Sequence, residues 1–116
     1  TAESCTGGLI GHRLTEVSGS SEVYKGGFVV YSNESKINLL DVDKSILKKY
    51  GAVSEETAQS MAKNVTNIFA SDYGISVTGI AGPSGGTDQK PVGLVYIGFA
   101  KNDDVKVKKI SAKKAM

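Results

Sequence analysis

The feature that most constrains the fold is an amphipathic helix followed by three strand-like segments. After the capping residue Ser54, apolar side chains recur every three or four residues as far as Phe69. Segments 74–80, 92–100 and 105–110 are then rich in strand-forming residues, with a polar turn between the last two. A helix with one apolar face beside several strands predicts an α/β domain, in which that face packs on a sheet.

The first half of the chain is predicted to hold further helices and one short strand. Helices are expected over 7–17, after a cap at Asn33, and from a cap at Asp43 to Gly51, which would supply a left-handed stop. The strand lies at 28–31. We therefore expect a mixed sheet, parallel in its early part and antiparallel in the late hairpin.

The composition is that of one ordinary globular domain. The 116 residues are 40% hydrophobic and 22% charged, and the formal net charge of +2 is too small to indicate nucleic-acid binding. No apolar run reaches the roughly 18 residues of a membrane span, and no signal-peptide pattern is present. With Cys5 as the single cysteine we expect a reducing, cytoplasmic compartment, and with His12 as the single histidine we expect no metal site.

Ser4 lies in the opening motif, residues 1–8, just before the first predicted helix. Its hydroxyl is expected to face backbone N–H groups at the electropositive end of that helix, as acyl-transfer chemistry requires. A serine before two glycines is more often an N-cap, so the motif alone does not decide. His12 is a poor base for Ser4, since on one helix they would lie ~12 Å apart at 1.5 Å per residue; it is predicted to lie on the surface.

Lys36 is the better partner for Ser4. It is predicted in the first turn of a helix, where the macrodipole disfavours a positive charge, and partial burial would lower its pKa further. A neutral lysine can accept the proton of a serine hydroxyl, and Tyr31 could hydrogen-bond to either group or relay that proton. By pattern alone, a strand tyrosine and a surface lysine are the more common arrangement, so both interpretations stay open.

The segment 79–93 is glycine-rich and contains both prolines of the chain. Its successive N–H groups could form an anion-binding nest, although the spacing fits neither a P-loop nor a Rossmann fingerprint. Residues 79–82 match the four-residue GxxG loop of KH domains, but their neighbours are not basic. A tight connection between two strands explains the segment equally well. Its polar side chains would be Thr78, Ser84, Thr87 and Lys90.

Taken together, these motifs resemble the C-terminal domain of the CinA family, competence/damage-inducible proteins that include stand-alone nicotinamide-nucleotide amidases. The match runs in order from residue 1 to about residue 100. Position 41 is Asp where the family usually has glycine, which predicts a different turn before Val42. The stretches that carry the resemblance are 2–8, 19–21, 26–33, Lys36, 51–54, 61–62, 78–83, 85–87 and 90–93.

The resemblance implies a three-layer α/β/α fold and hydrolysis of the carboxamide of nicotinamide mononucleotide to nicotinate mononucleotide and ammonia. It implies a serine nucleophile assisted by tyrosine and lysine, roles that fall on Ser4, Tyr31 and Lys36, with no metal and no cofactor. Backbone amides after Ser4 would hold the oxyanion, and serines and a glycine loop would bind phosphate or ribose. These substrate-binding candidates are Thr6, Gly7, Gly8, Ser20, Ser21, Gly82, Gly85, Gly86 and Thr87.

The resemblance also implies an organisation and partners. It assigns the amidase domain to residues 1–110, with segments missing at both ends, and leaves 111–116 as an unmatched tail. The expected partners are a small-molecule nucleotide and a second copy in a homodimer, without membrane or nucleic acid. The alternative function is a non-catalytic domain that binds a nucleotide or a protein partner in the competence or DNA-damage response.

Overall fold

Residues 1–111 are described by a computed structural model, and they form an α/β domain with a central sheet. The helices are α1 Leu9–Thr15, α2 Asn33–Leu40, α3 Lys44–Tyr50 and α4 Glu55–Phe69, with a short 3-10 helix at Ser20–Glu22. The strands are β1 Ala2–Glu3, β2 Phe28–Val29, β3 Tyr73–Gly79, β4 Leu94–Lys101 and β5 Asp104–Ser111.

The sheet is mixed, as the sequence predicts, and its strand order is β2-β1-β3-β4-β5. β1 runs parallel to both β2 and β3, whereas β4 is antiparallel to β3 and to β5. β1 itself was not predicted, because two residues carry no periodicity. It nevertheless lies between β2 and β3, where Ala2 pairs with Phe28 on one side and with Ser76 on the other.

The long helix α4 packs closely on β3 and β4 because small residues face it. The hydroxyl of Ser76 donates to the carbonyl of Ala58 at 2.6 Å. A Cβ added at Gly98 would lie 2.7 Å from the same carbonyl oxygen, so only glycine allows this approach. The buried hydrophobic cluster around this layer consists of Ala2, Val30, Leu40, Val42, Leu47, Met61 and Val65.

The short helix α1 lies on the opposite face of the sheet. Side chains alternate along a strand, so Ala2 joins the cluster on the α4 side while Glu3 points the other way. There the carboxylate of Glu3 accepts hydrogen bonds from the amides of Ile10 and Gly11 in α1. Helices therefore cover the sheet from both sides, and the predicted three-layer α/β/α fold is confirmed.

The helix ends differ in detail from the prediction. The helix predicted over 7–17 spans only Leu9–Thr15. Ser32, rather than Asn33, caps α2, because its hydroxyl accepts from the amide of Ser35 at 3.0 Å. Gly51 has a positive φ of 84° but an extended ψ of 170°, so it ends α3 without the left-handed helical conformation.

Asp41 adopts the left-handed conformation itself, with φ 55° and ψ 30°, and thereby ends α2. This is the backbone geometry that glycine favours, and aspartate is among the few residues that tolerate it. Asp41 therefore ends α2 with the backbone conformation that a glycine would adopt at this turn. At the other end of the chain, β4 begins at Leu94 rather than at residue 92, and Ser111 belongs to β5. The rest of the predicted tail, 112–116, lies outside the described residues.

Candidate active site

Ser4 follows β1 immediately, at the carboxyl edge of the three parallel strands. From β1 the chain first crosses over α1 to β2 on one side, and later reaches β3 on the other side. In open α/β sheets such a reversal of strand order leaves a crevice at the carboxyl ends of the strands, where ligands bind. The amide of Ser4 donates to the carbonyl of Val77 at 3.0 Å, which fixes the residue to β3.

Lys36 reaches Ser4 from the first residues of α2. The cap at Ser32 starts α2 shortly after β2. The side chain of Lys36 therefore points back towards the carboxyl end of β2, where it contacts the carbonyl of Val30. Its Nζ lies 3.0 Å from the Oγ of Ser4, 2.9 Å from the carbonyl oxygen of Val30 and 3.2 Å from that of Tyr31. In a neutral amine, two N–H groups donate to the two carbonyls, and the remaining lone pair faces the Ser4 hydroxyl.

The environment of Lys36 favours that neutral form. The residue is 1% exposed, and burial lowers the pKa of its amine, while the nearby Cys5 thiol acts in the opposite direction. Within residues 1–111, no Asp or Glu side chain forms an ion pair with it. The lowered pKa that the sequence predicts is therefore found, and its cause is burial without a counter-charge.

The electropositive end of α1 is occupied by Glu3 instead of facing Ser4. Gly8 precedes the helix and offers no side-chain cap, so the carboxylate of Glu3 takes that place. It accepts from the hydroxyl of Thr6 at 2.7 Å, the amide of Ile10 at 2.8 Å and the amide of Gly11 at 2.9 Å. The expectation that the Ser4 hydroxyl faces these helix amides is wrong, because a buried carboxylate satisfies them.

Glu3 remains charged in spite of its burial. It is 2% exposed, and burial alone would raise the pKa of its carboxyl group. The hydrogen bonds from Thr6 and from the amides of Gly11, Ile10 and Gly8 outweigh that effect and lower the pKa. The sequence analysis missed this role, although a helix that starts at an uncapped glycine needs an acceptor from elsewhere.

The turn after Ser4 offers fewer free amides than predicted. The amide of Gly7 donates to the carbonyl of Ser4 at 3.1 Å, and that of Gly8 to Glu3. The hydroxyl of Thr6 is bound to Glu3 as well. Within residues 1–111 the amide of Cys5 donates to no backbone carbonyl. As the amide directly after the serine, it is the candidate oxyanion donor.

Tyr31 contacts Lys36 through its main chain and not through its phenol. The carbonyl of Tyr31 accepts from Nζ, whereas the side chain is 74% exposed. In the part of the chain that the structure describes, the phenol hydroxyl has no hydrogen bond to Ser4 or Lys36. Of the two sequence-predicted partners, only the lysine therefore places its functional group on the serine.

These residues open into a cavity of about 370 Å³, within the range of about 300–1,000 Å³ typical of small-molecule sites. Gly82 and Gly85, two of the predicted substrate-binding residues, line it. Gly86 and Thr87 do not, and Ser20 and Ser21 lie in the 3-10 helix, away from the cavity. The lining residues are Ser4, Cys5, Tyr31, Lys36, Ala52, Val53, Thr78, Gly79, Ile80, Ala81, Gly82, Ser84 and Gly85.

One wall of the cavity was not predicted. Ala52 and Val53 connect α3 to α4, and their position depends on contacts distant in sequence. The hydroxyl of Thr78 donates to the carbonyl of Ala52 at 2.8 Å, and the hydroxyl of Thr57 donates to that of Gly51 at 2.7 Å. A local pattern carries no signal for such pairings.

A second cavity, of about 290 Å³, lies at the opposite edge of the sheet and contains none of the predicted catalytic residues. Thr1, Gly26 and Tyr73 mark it as the amino-terminal edge of the parallel strands, and its lining is largely apolar. Among residues 1–111, no group of three His, Cys, Asp or Glu side chains is arranged to hold a metal ion. No helix in this range combines the length and apolar character needed to cross a bilayer.

Comparison with known proteins gives consistent matches. A relative from Thermoanaerobacter sp. (strain X514), whose name refers to competence-damage inducible proteins, is 60% identical over 109 residues, which are 94% of this chain. The competence/damage inducible protein CihA from Agrobacterium tumefaciens superimposes with a TM-score of 0.92 at 44% identity, covering 95% of this chain and 67% of its own. The competence damage-inducible protein A (ComA) from Klebsiella pneumoniae gives 0.93 at 34% identity, covering 98% and 71%.

The chain spans about a quarter of the length of the curated relatives it matches, 26% for the Thermoanaerobacter protein. The family model for the CinA C-terminal domain matches residues 1–115 and so runs past the predicted boundary at residue 110. The chain therefore belongs to the CinA C-terminal domain family.

Proposed function

We propose that this domain is a serine amidase that hydrolyses the carboxamide of nicotinamide mononucleotide. The observation that carries the proposal is the 3.0 Å contact between the Nζ of a buried lysine, Lys36, and the Oγ of Ser4. A serine hydroxyl needs a base to act as a nucleophile at neutral pH. A lysine whose pKa is lowered by burial provides that base without a histidine.

The first half of the reaction forms an acyl-enzyme. The Oγ of Ser4 bonds to the carboxamide carbon while its proton passes to the Nζ of Lys36. The oxyanion that develops is held by the amide of Cys5. When the carbon–nitrogen bond breaks, Lys36 returns the proton to the departing nitrogen, so that ammonia leaves and the nicotinoyl group remains as an ester on Ser4.

The second half releases the product. Water bonds to the ester carbon while Lys36 takes one of its protons, and that proton then returns to the Oγ of Ser4 as the ester bond breaks. The products are ammonia and the carboxylic acid of nicotinate mononucleotide, which gives up its proton to the ammonia or to solvent, and the enzyme is unchanged. Throughout, Val30 and Tyr31 keep their carbonyls on Nζ, so that its remaining position stays directed at Ser4.

The test is ammonia release from nicotinamide mononucleotide by the purified protein and by Ser4→Ala. The half-buried Cys5, adjacent in sequence, supplies a matched control as Cys5→Ala, which removes a thiol from the same cavity but keeps the backbone amide. We expect turnover by the wild type, retention in Cys5→Ala and loss in Ser4→Ala. Trapping of a nicotinoyl ester on the wild type by acid quench and mass spectrometry should locate it on Ser4.

Two outcomes would contradict the proposal. Turnover that survives Ser4→Ala would place the nucleophile elsewhere. Nucleotide binding without any ammonia release would instead support the non-catalytic binding domain, in which the Ser4–Lys36 contact serves only to position a ligand.

A further inference from the structure

Lys90 has no part in the chemistry above, although it lies on the loop that lines the cavity. This loop, residues 80–93, connects β3 to β4. The Nζ of Lys90 donates to the carbonyl of Tyr50 at 2.6 Å, and Tyr50 is the last residue of α3. The carboxyl end of a helix carries partial negative charge and unpaired carbonyls, so a lysine is well suited to that position.

This contact joins two walls of the cavity. The loop wall includes Ile80, Gly82 and Gly85, and the opposite wall consists of Ala52 and Val53. The second wall begins two residues after Tyr50, the helix end that Lys90 contacts.

The intervening residue, Gly51, confirms how closely the lysine approaches. A Cβ at Gly51 would lie 3.0 Å from the Nζ of Lys90, and its φ of 84° is one that side chains rarely allow. The ammonium group therefore packs on the bend that carries the second wall.

The loop has few other attachments. At its base the amide of Gly93 donates to the carbonyl of Ile80 at 2.7 Å. Near Lys90 a small turn is closed in both directions, since the amide of Thr87 donates to the carbonyl of Lys90 and the amide of Lys90 donates to the hydroxyl of Thr87. Within residues 1–111, no hydrogen bond ties 81–86 to the rest of the chain. The Lys90–Tyr50 contact is thus the attachment that spans the cavity.

We propose that Lys90 is a positioning residue that fastens the 80–93 loop to the end of α3 and so sets the shape of the nucleotide site. This proposal rests on the function proposed above and names a determinant of substrate binding. Lys90 acts through the loop, because its ammonium group contacts the Tyr50 carbonyl and its side chain is not among the residues that line the cavity.

The test compares Lys90→Met and Lys90→Arg with Lys25→Met. Lys25 is a matched control, since its Nζ donates to the carbonyls of Phe69 and Ala70 at the end of α4, at 3.1 and 3.0 Å. It therefore makes the same kind of contact at the far edge of the sheet. KM and kcat are measured with nicotinamide mononucleotide and with nicotinamide riboside, which lacks the phosphate. Hydrogen exchange of the hydrogen-bonded loop amides, those of Thr87, Lys90 and Gly93, gives a readout independent of activity.

We expect Lys90→Met to raise KM on the order of threefold to tenfold for both substrates, the range that the loss of one ordinary net hydrogen bond at an exposed site supplies. The kcat should change less than KM, and the amides of residues 87, 90 and 93 should exchange faster. Lys90→Arg should restore KM, and Lys25→Met should leave both KM and loop exchange unchanged.

Two results would overturn the proposal. An effect on KM that is confined to the phosphate-bearing substrate would make Lys90 a direct phosphate ligand. Unchanged KM and loop exchange in Lys90→Met would remove the positioning role. If the wild type shows no turnover, the proposed reaction fails, and loop exchange alone then decides whether Lys90 holds the loop.

Discussion

Glu3 and Lys36 lie near Ser4 on opposite sides of the sheet. The folded environment favours the charged form of Glu3 and the neutral form of Lys36. Both are almost fully buried, at 2% and 1% exposure. Glu3 receives hydrogen bonds from a hydroxyl and several amides, which lower the pKa of its carboxyl group and keep it ionised. Lys36 contacts two carbonyls and one hydroxyl but no acidic side chain of residues 1–111, and burial lowers the pKa of its amine, which favours the uncharged form.

The same direction of pKa shift therefore has opposite meanings for the two residues. A lowered pKa in an acid preserves its charge, whereas in a base it removes the charge. Burial of Glu3 is compensated by donors, so the residue fixes the turn after Ser4. The cost of burying a charged Lys36 is offset only in part by the two carbonyls that contact it, so the neutral amine is favoured and can accept a proton. The comparison predicts that structure depends on Glu3 and chemistry on Lys36.

The sharpest test of this division is Lys36→Met, which keeps the length of the side chain and removes the amine. We expect ammonia release to fall by about 10²–10⁴-fold, the range of general acid–base catalysis. The free energy of unfolding should change little, since removal of a desolvated amine offsets the loss of the donor to the carbonyls of Val30 and Tyr31. Lys63→Met, on the exposed face of α4, is the control and should change neither quantity. Stability lost with activity retained would reverse the roles of the two residues.

The pH dependence of activity tests whether Lys36, the residue assigned to the chemistry, acts as a neutral base. Only neutral Lys36 accepts the serine proton, so kcat/KM should rise about tenfold per pH unit below its pKa and level off above it. Because burial lowers that pKa, the plateau should begin below the ordinary value of 10.5. A pH–rate profile measures this directly. A profile that still rises at pH 10.5 would show that Lys36 is not the neutral base.

The contributions of Glu3 and Lys36 to the free energy of unfolding should depend on pH over different ranges. For Glu3, the stabilisation is present above the ordinary pKa of 4.5 and is lost as pH falls through the lower pKa of the folded protein. For Lys36, the amine keeps its proton up to about pH 10.5 in the unfolded chain but loses it at a lower pH in the folded protein. The free energy of unfolding therefore rises with pH between the pKa of the folded state and that of the unfolded state. Urea unfolding should show a flatter acid limb in Glu3→Gln and a flatter alkaline limb in Lys36→Met.

Glu3→Gln should give the converse of the lysine variant at neutral pH. The amide side chain retains one acceptor but directs an NH₂ group towards backbone donors, which leaves a buried polar group unpaired. We expect a loss of about 1–3 kcal/mol in the free energy of unfolding by urea denaturation. The decrease in amidase rate should be smaller than in Lys36→Met. Glu22→Gln, in the exposed 3-10 helix, should be neutral, and equal losses in both variants would contradict a special role for Glu3.

The parts of this comparison that the sequence predicts are those with local signals. Periodicity identifies α4 and strand composition identifies β3 to β5, whereas the motif around Lys36 leaves both a surface lysine and a buried lysine of lowered pKa open. Helix caps are local signals too. Before α2, however, two possible caps follow one another, the hydroxyl of Ser32 and the amide side chain of Asn33, and the sequence does not decide between them.

The rest depends on contacts between distant segments. β1 has only two residues and exists because β2 and β3 pair with it on both sides. That pairing also decides that Glu3, one residue before Ser4, faces α1 and takes up its free amides. The sequence shows an uncapped glycine ahead of α1, but not which acceptor replaces the cap.

The smallest expected effects concern the partners of the two residues, and they test whether side chain or backbone holds each charge. Thr6→Val removes a 2.7 Å hydrogen bond to Glu3, so we expect a loss of about 0.5–1.5 kcal/mol and a higher pKa for the carboxyl group. Tyr31→Phe keeps the carbonyl that binds Lys36 and changes only an exposed ring, so neither stability nor the alkaline break of the pH–rate profile should move. A proton relay through the phenol would lower kcat in Tyr31→Phe without moving that break. A break that moves would show that the phenol, rather than the backbone, controls Lys36, and the contrast with Glu3 would then no longer hold.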